Sequence, residues 1–169
     1  MSFFSRLFKG AKSGEENTYL PQGSYLNPYS TLGELDFHLI AEGRHERLWD
    51  VLGAHIKREA DGTLIGTAFS VWAPNAQAVS LVGDHNFWDR ATHPMVRAGS
   101  TGIWEIFIPD VGLNTCYKFA ICTINGNWVD HADPLARATE HPSRTASVVT
   151  ESTYSWSDTQ WMENRKSYQ

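Results

Sequence analysis

Residues 66–73 read GTAFSVWA and run directly into Pro74. The stretch carries no charge, mixes small residues with β-branched and aromatic ones, and is too short between Gly62 and Pro74 for a buried helix. A strand is the reading that fits, and the pattern repeats on its downstream side. Residues 78–82 (AVSLV) are closed by Gly83-Asp84, and residues 103–108 (IWEIFI) put Trp104, Ile106 and Ile108 on one face with Glu105 on the other. Residues 116–124 (CYKFAICTI) precede Asn125-Gly126, a pair that predicts a type I′ hairpin into Asn127-Trp128-Val129. A last strand is expected over 146–150. Short strands punctuated by Gly, Pro, Asn and Asp predict an all-β sandwich.

Upstream of these strands the periodicity changes. Residues 44–52 (RHERLWDVL) place Leu48, Val51 and Leu52 on one helical face, with Gly53 as the stop, so a short helix is expected there. The organisation that follows is a flexible lead over 1–30, rich in Gly, Ser, Asn and Pro, and a helical lead segment packing on the sandwich over 31–60. The sandwich itself is expected over 61–152, followed by a C-terminal linker over 153–169.

The 169 residues suffice for one domain with a core but fall short of a (β/α)₈ barrel, which takes roughly 250. A net charge of −5 argues against a nucleic-acid surface made by bulk charge. No run of apolar residues is long enough to span a membrane. The start, MSFFSRLFK, is apolar at Phe3, Phe4, Leu7 and Phe8 but lacks a signal-peptide core, so a locally packed or mobile tail is expected. Two cysteines, Cys116 and Cys122, sit at opposite ends of one expected strand, too far apart to bridge. Free thiols suit a reducing, cytoplasmic compartment.

Catalytic and metal chemistry find little support. Asp84, Asp89, Asp110, Asp130 and Asp133 all fall near turns, where such side chains usually bond to local backbone in solvent. The seven histidines are scattered, with no HExxH, CxxC, GxSxG or phosphate-loop pattern. No catalytic residue, cofactor or metal site is therefore assigned.

The seven tryptophans carry more information. Trp72 and Trp104 sit inside strands and are expected in the core. Trp49 is expected to pack the short helix, and Trp156 and Trp161 the C-terminal segment. Trp88, in the loop GDHNFWD, and Trp128, just after the Asn125-Gly126 turn, are placed where an indole serves as a recognition platform. Indole faces attract the C–H faces of sugar rings, and Lys118 and the amides of Asn127 and Asn86 supply donors for hydroxyls. Trp88, Lys118, Trp128 and Asn127 thus form a candidate carbohydrate site. The alternative is that both indoles seal the sandwich or a domain interface. Stacking of single-stranded nucleic acid would need a positive groove, which Asp84, Asp89 and Asp130 oppose.

Several stretches, in order, resemble the N-terminal region of bacterial 1,4-α-glucan branching enzymes of glycoside hydrolase family 13. They are LGELDFHL (32–39), LGAH (52–55), FSVWAPNA (69–76), VSLVGDHNFWD (79–89), GIWEIFIP (102–109), YKF (117–119), ADP (132–134) and TASVV (145–149). VWAPNA and GDHNFWD are also similar to carbohydrate-binding module family 48 more widely. The resemblance implies an immunoglobulin-like β-sandwich that precedes an α-amylase-type barrel, the barrel itself being absent from this chain. It implies glycogen biosynthesis and binding of α-1,4-glucan or glycogen. A family 13 barrel is the implied partner, in cis or in trans, and the chain is expected to be inactive alone. A protein-interaction or regulatory module docking on a glucan-active enzyme is the alternative. The sugar-binding positions of related modules resemble Trp88, Lys118 and Trp128. Two departures stand out: His85 where Phe is frequent, which bears on loop packing, and His131 with Leu135 where KADPYA is common.

Overall fold

The computed structural model describes residues 27–165. The expected apolar tail at Phe3, Phe4, Leu7 and Phe8 lies outside the described residues. Among the described residues nine strands form two antiparallel sheets. One contains β1 (Gly53–Arg58), β2 (Leu64–Trp72), β4 (Val96–Ala98) and β5 (Ile103–Pro109) in the order β1-β2-β5-β4. The other contains β3 (Ala78–Gly83), β6 (Cys116–Cys122), β7 (Trp128–His131), β8 (Ala138–Thr139) and β9 (Ser147–Val148). Its order is β3-β6-β9-β8, with β7 also paired to β6. This is the all-β immunoglobulin-like sandwich implied by the sequence.

Alternation decides which side chains enter the core. Phe69 and Val71 of β2 face inward with Trp104 and Ile108 of β5 and meet Leu81, Tyr117 and Phe119 from the opposite sheet. Phe69, Leu81 and Phe119 are fully buried, each contributing about 1.5–3 kcal/mol in transfer terms. The indole N–H of Trp104 donates to the Ala73 carbonyl at 3.0 Å, so its one polar atom is satisfied. Trp72 corrects the sequence expectation. It lies on the outer face of β2, 58% exposed, with its indole N–H donating to the Thr101 carbonyl. A period of two allows only alternate residues of GTAFSVWA to face inward.

The helix also lies elsewhere than expected. The α-helix α1 spans Glu34–Ala41, whereas residues 44–52 hold only a single 3₁₀ turn, Leu48–Asp50. The Asp36 carboxylate accepts from the Gly33 N–H at 2.7 Å, reaching back across the first turn as the third residue of a capping box does. At the other end Gly43 is left-handed (φ +66°); its N–H donates to Ile40 and that of Arg44 to Leu39, a Schellman ending. Phe37 and Ile40 of α1 join Leu48, Val51 and Leu52 over Ala98 and Ile103, on the outer face of the first sheet. Leu48, Val51 and Leu52 thus pack as a group without a helix. Gly53 does not stop a helix; it opens β1 at φ +95°. The molecule has three layers: helix and turn, first sheet, second sheet.

The hairpin after β6 differs from a type I′ turn. The Gly126 N–H donates to Thr123, the Thr123 N–H donates to Asn127, and Gly126 but not Asn125 has positive φ. This is a type I turn over Ile124-Asn125 followed by a glycine bulge. Cys116 and Cys122 are both free thiols. Trp49, Trp156 and Trp161 are exposed, and Trp156 makes an edge-to-face contact with Tyr154, ring centroids 4.9 Å apart, within the C-terminal segment.

Candidate functional site

Two of the sequence candidates, Lys118 and Trp128, lie on the outer face of the second sheet, four residues apart along the β6 ladder. Lys118 alternates with the inward Tyr117 and Phe119, so it faces outward with Ala120 and Cys122. Across the ladder, Cys122 pairs with Trp128 and Ala120 with Asp130, which puts Trp128 and Asp130 on that same outer face.

The loop after β3 reaches this face through a set of fixed anchors. Gly83 is tightly placed: a Cβ there would come within 2.3 Å of the Cys116 carbonyl. The Asp84 carboxylate accepts from the Cys116 N–H at 3.0 Å. Asn86 is buried; its Oδ1 accepts from the Gly83 N–H, and its Nδ2 donates to the Leu81 and Asp89 carbonyls. His93 Nδ1 lies a further 3.0 Å from that same amide nitrogen. Asn86 is therefore spent inside the loop, and the expectation that it serves as a sugar-binding amide is overturned. The hydroxyl of Ser80 lies 2.6 Å from the Arg90 carbonyl and 2.9 Å from that of His93, holding the loop over β3. Arg90 Nε and Nη2 then donate to Asp130 Oδ1 at 3.2 and 2.9 Å. Trp88 lies two residues before Arg90, and Trp128 two before Asp130.

The two indoles are each partly covered, Trp88 at 40% and Trp128 at 39% exposure. Trp88 sits at φ +63° and its neighbour Phe87 at φ +53°. Two successive bulky residues in the left-handed region are held there against their preference, as happens where a loop is preorganised. The Lys118 ammonium donates to Thr145 Oγ1 at 2.7 Å. Asn127 is exposed at the turn, its carbonyl accepting from the Thr123 N–H. Thr145 escaped sequence reasoning because only the long-range fold brings it to Lys118. Phe87 escaped it because nothing in the loop's composition separates an exposed ring from a packed one.

Among the turn aspartates, Asp133 departs from the solvated expectation. It is buried, accepts from the Tyr117 hydroxyl at 2.5 Å and the Leu135 N–H at 2.8 Å, and its own N–H donates to Ser147. Burial raises its pKa despite these bonds. The carboxylate ties β6 to the chain after β7. His85 is the other departure. Both its ring nitrogens are buried without a partner, its ring stacks toward Phe69, and burial beside His93 lowers its pKa to about 4. Among the described residues no three His, Cys, Asp or Glu side chains are grouped to hold a metal. A separate cleft of about 230 Å³, lined by Ile40, Leu48, Leu52 and Trp72, lies on the opposite side of the molecule, beside α1.

Comparison with known proteins gives this geometry a family. The chain is 58% identical over 139 residues to a 1,4-alpha-glucan branching enzyme of Nocardia farcinica, covering 81% of this chain and 19% of that protein. It is 49% identical over 158 residues to one of Frankia casuarinae, covering 89% of this chain and 19% of the relative. The chain thus spans about a fifth of the length of these relatives. Among solved structures, type I pullulanase of Bacillus subtilis, complexed with maltose, superposes with a TM-score of 0.50 at 24% identity. The match covers 63% of this chain and 14% of the pullulanase, a likeness of fold. Residues 51–136 match the profile of carbohydrate-binding module 48 (isoamylase N-terminal domain), and the chain belongs to that family.

Proposed function

We propose that the chain is the α-glucan-binding and scaffolding module of a 1,4-α-glucan branching enzyme, acting beside a catalytic barrel in cis or in trans. The observation that carries this reading is the Arg90–Asp130 tie, which fastens the Trp88 loop across the face that bears Trp128. Each half-covered indole offers one face to sugar C–H groups, as a stacking wall does. Lys118 and Thr145 form a polar pair on β6's outer side, suited to hydroxyls further along a glucan chain, and Asn127 adds an amide at the turn. The described buried carboxylates, Asp133 and Glu105, are engaged in internal hydrogen bonds, which supports binding rather than chemistry as the task of this chain. The free thiols support a cytoplasmic setting. No described helix is long and apolar enough to cross a membrane.

Isothermal titration with maltoheptaose tests the proposal. Wild-type protein should bind, Trp88→Ala or Trp128→Ala should each weaken binding about tenfold, and Lys118→Ala should weaken it less. Absence of heat at millimolar oligosaccharide contradicts it. A second reading, docking on a glucan-active enzyme, is favoured by one observation: Tyr154, Trp156, Trp161 and Met162 are exposed along the segment that follows the sandwich. Under that reading a separately expressed barrel would bind the chain, and removal of residues 153–169 would abolish binding.

A further inference from the structure

Phe87 is 94% exposed, more than any other large apolar residue on the described surface. A single exposed ring is ordinary, but this one combines exposure with constraint. Its backbone sits at φ +53°, followed by Trp88 at φ +63°, a conformation that Gly or Asn would adopt at lower cost. The ring is not exposed by loss of order in its loop. Asn86 immediately before it is buried and hydrogen-bonded on both sides of its amide, and the Trp88 N–H immediately after it donates to the Gly83 carbonyl at 3.0 Å. The protein holds an apolar ring outward on a fixed turn.

The surroundings define what such a ring can meet. The nearby charged side chains are already engaged: Asp84 with the Cys116 N–H, Asp89 with the Ala91 N–H and the Thr92 hydroxyl, and Arg90 with Asp130. A protein interface needs a contiguous apolar patch of hundreds of Å². An exposed ring with only one further exposed ring beside it, Trp88, flanked by engaged polar groups, matches a ligand that alternates small C–H faces with hydroxyls. Resting on the glucan-binding reading above, we infer that Phe87 is a third stacking station of the same site, reached only by glucan chains long enough to run past Trp88. Phe87 and Trp88 are adjacent in the chain, so one bound glucan longer than the stretch stacked on Trp88 can lie along both rings.

The test is titration of the full chain with maltose and with maltoheptaose, for wild type, Phe87→Ala, Phe87→Tyr and Trp88→Ala. Phe87→Ala should weaken maltoheptaose about fivefold and change maltose less than twofold, while Phe87→Tyr keeps wild-type affinity for both. The melting temperature of Phe87→Ala should match wild type, because the ring is barely buried. Wild-type affinity of Phe87→Ala for maltoheptaose, with Trp88→Ala impaired, overturns the inference and leaves the glucan site standing. Equal weakening toward both sugars also overturns it, because the ring would then be shaping the loop. If the wild type binds neither sugar, the glucan-binding reading itself fails and takes this inference with it.

Discussion

His85 packs toward Phe69 and leaves both ring nitrogens buried without partners. A phenyl ring there loses no hydrogen bond and removes two buried polar atoms, so His85→Phe should raise neutral-pH stability by about 1 kcal/mol. The pH dependence follows from the lowered pKa, about 4 against 6.5 in the unfolded chain. The folded protein binds fewer protons at this ring between those values, so its contribution to stability is lost as pH falls through that window. Denaturant unfolding of both proteins from pH 7 to pH 4 should therefore show the advantage of His85→Phe growing as pH falls. A constant gap would mean that the ring is solvated. Trp72 and Trp104 teach the complementary lesson. Both are legible as strand residues, but alternation turns Trp72 outward at the end of β2, beyond the cover that buries Ala68 and Ser70 on that face, while Phe69, Val71 and Trp104 face in.

At the scale of elements, the strands read well and the helix did not. Four of the five expected strand segments coincide closely with β2, β3, β5 and β6, and the fifth, 146–150, contains the short β9, because apolar runs bounded by Gly and Pro mark buried strands directly. RHERLWDVL predicts a helix because three of its apolar residues fall at helical spacing. Local capping decides otherwise: the Asp36 carboxylate and the Gly43 ending favour 34–41, and Val51-Leu52 lead straight into β1. The segment before α1 acts as a strap on β5. Tyr29 stacks on Phe107 with ring centroids 4.0 Å apart, and the Ser30 hydroxyl donates to Glu105 Oε2 at 2.6 Å. Burial raises the Glu105 pKa, and the Ser30 bond opposes that rise. A carboxyl whose folded pKa is raised favours the fold most below its unfolded value of 4.5, and this contribution is lost as pH rises through the folded pKa. Ser30→Ala should destabilise the protein by about 1–2 kcal/mol at neutral pH and steepen that decline. Equal pH slopes in wild type and variant would remove Ser30 from the account. The Arg90–Asp130 tie is an exposed pair whose direct contribution to stability is at most about 1 kcal/mol. Arg90→Gln should therefore barely move the melting temperature while weakening maltoheptaose severalfold, the signature of a positioning residue; unchanged affinity would show that the loop holds Trp88 without it.

For the whole molecule, the two outer faces of the sandwich carry different features. One is covered by α1 and the Leu48–Asp50 turn, leaving the cleft beside Trp72. The other carries the loop of Trp88 together with Trp128 and Lys118. This division was not legible in the sequence. Each Trp announced itself, but the sheet to which it belonged depended on long-range register, such as Cys122 opposite Trp128. Residues 151–165 are all exposed, so a chain ending at Ser152 should unfold with the same melting temperature as the full chain, within about 2 °C. A large drop would mean that this segment packs on the sandwich. On the glucan-binding reading, α-glucan meets the outer face of the second sheet, and backbone amide shift mapping during maltoheptaose titration is the sharpest test of this. Shifts should cluster at residues 84–90, Lys118, 127–130 and Thr145; shifts confined to α1 and the Trp72 cleft would overturn the reading.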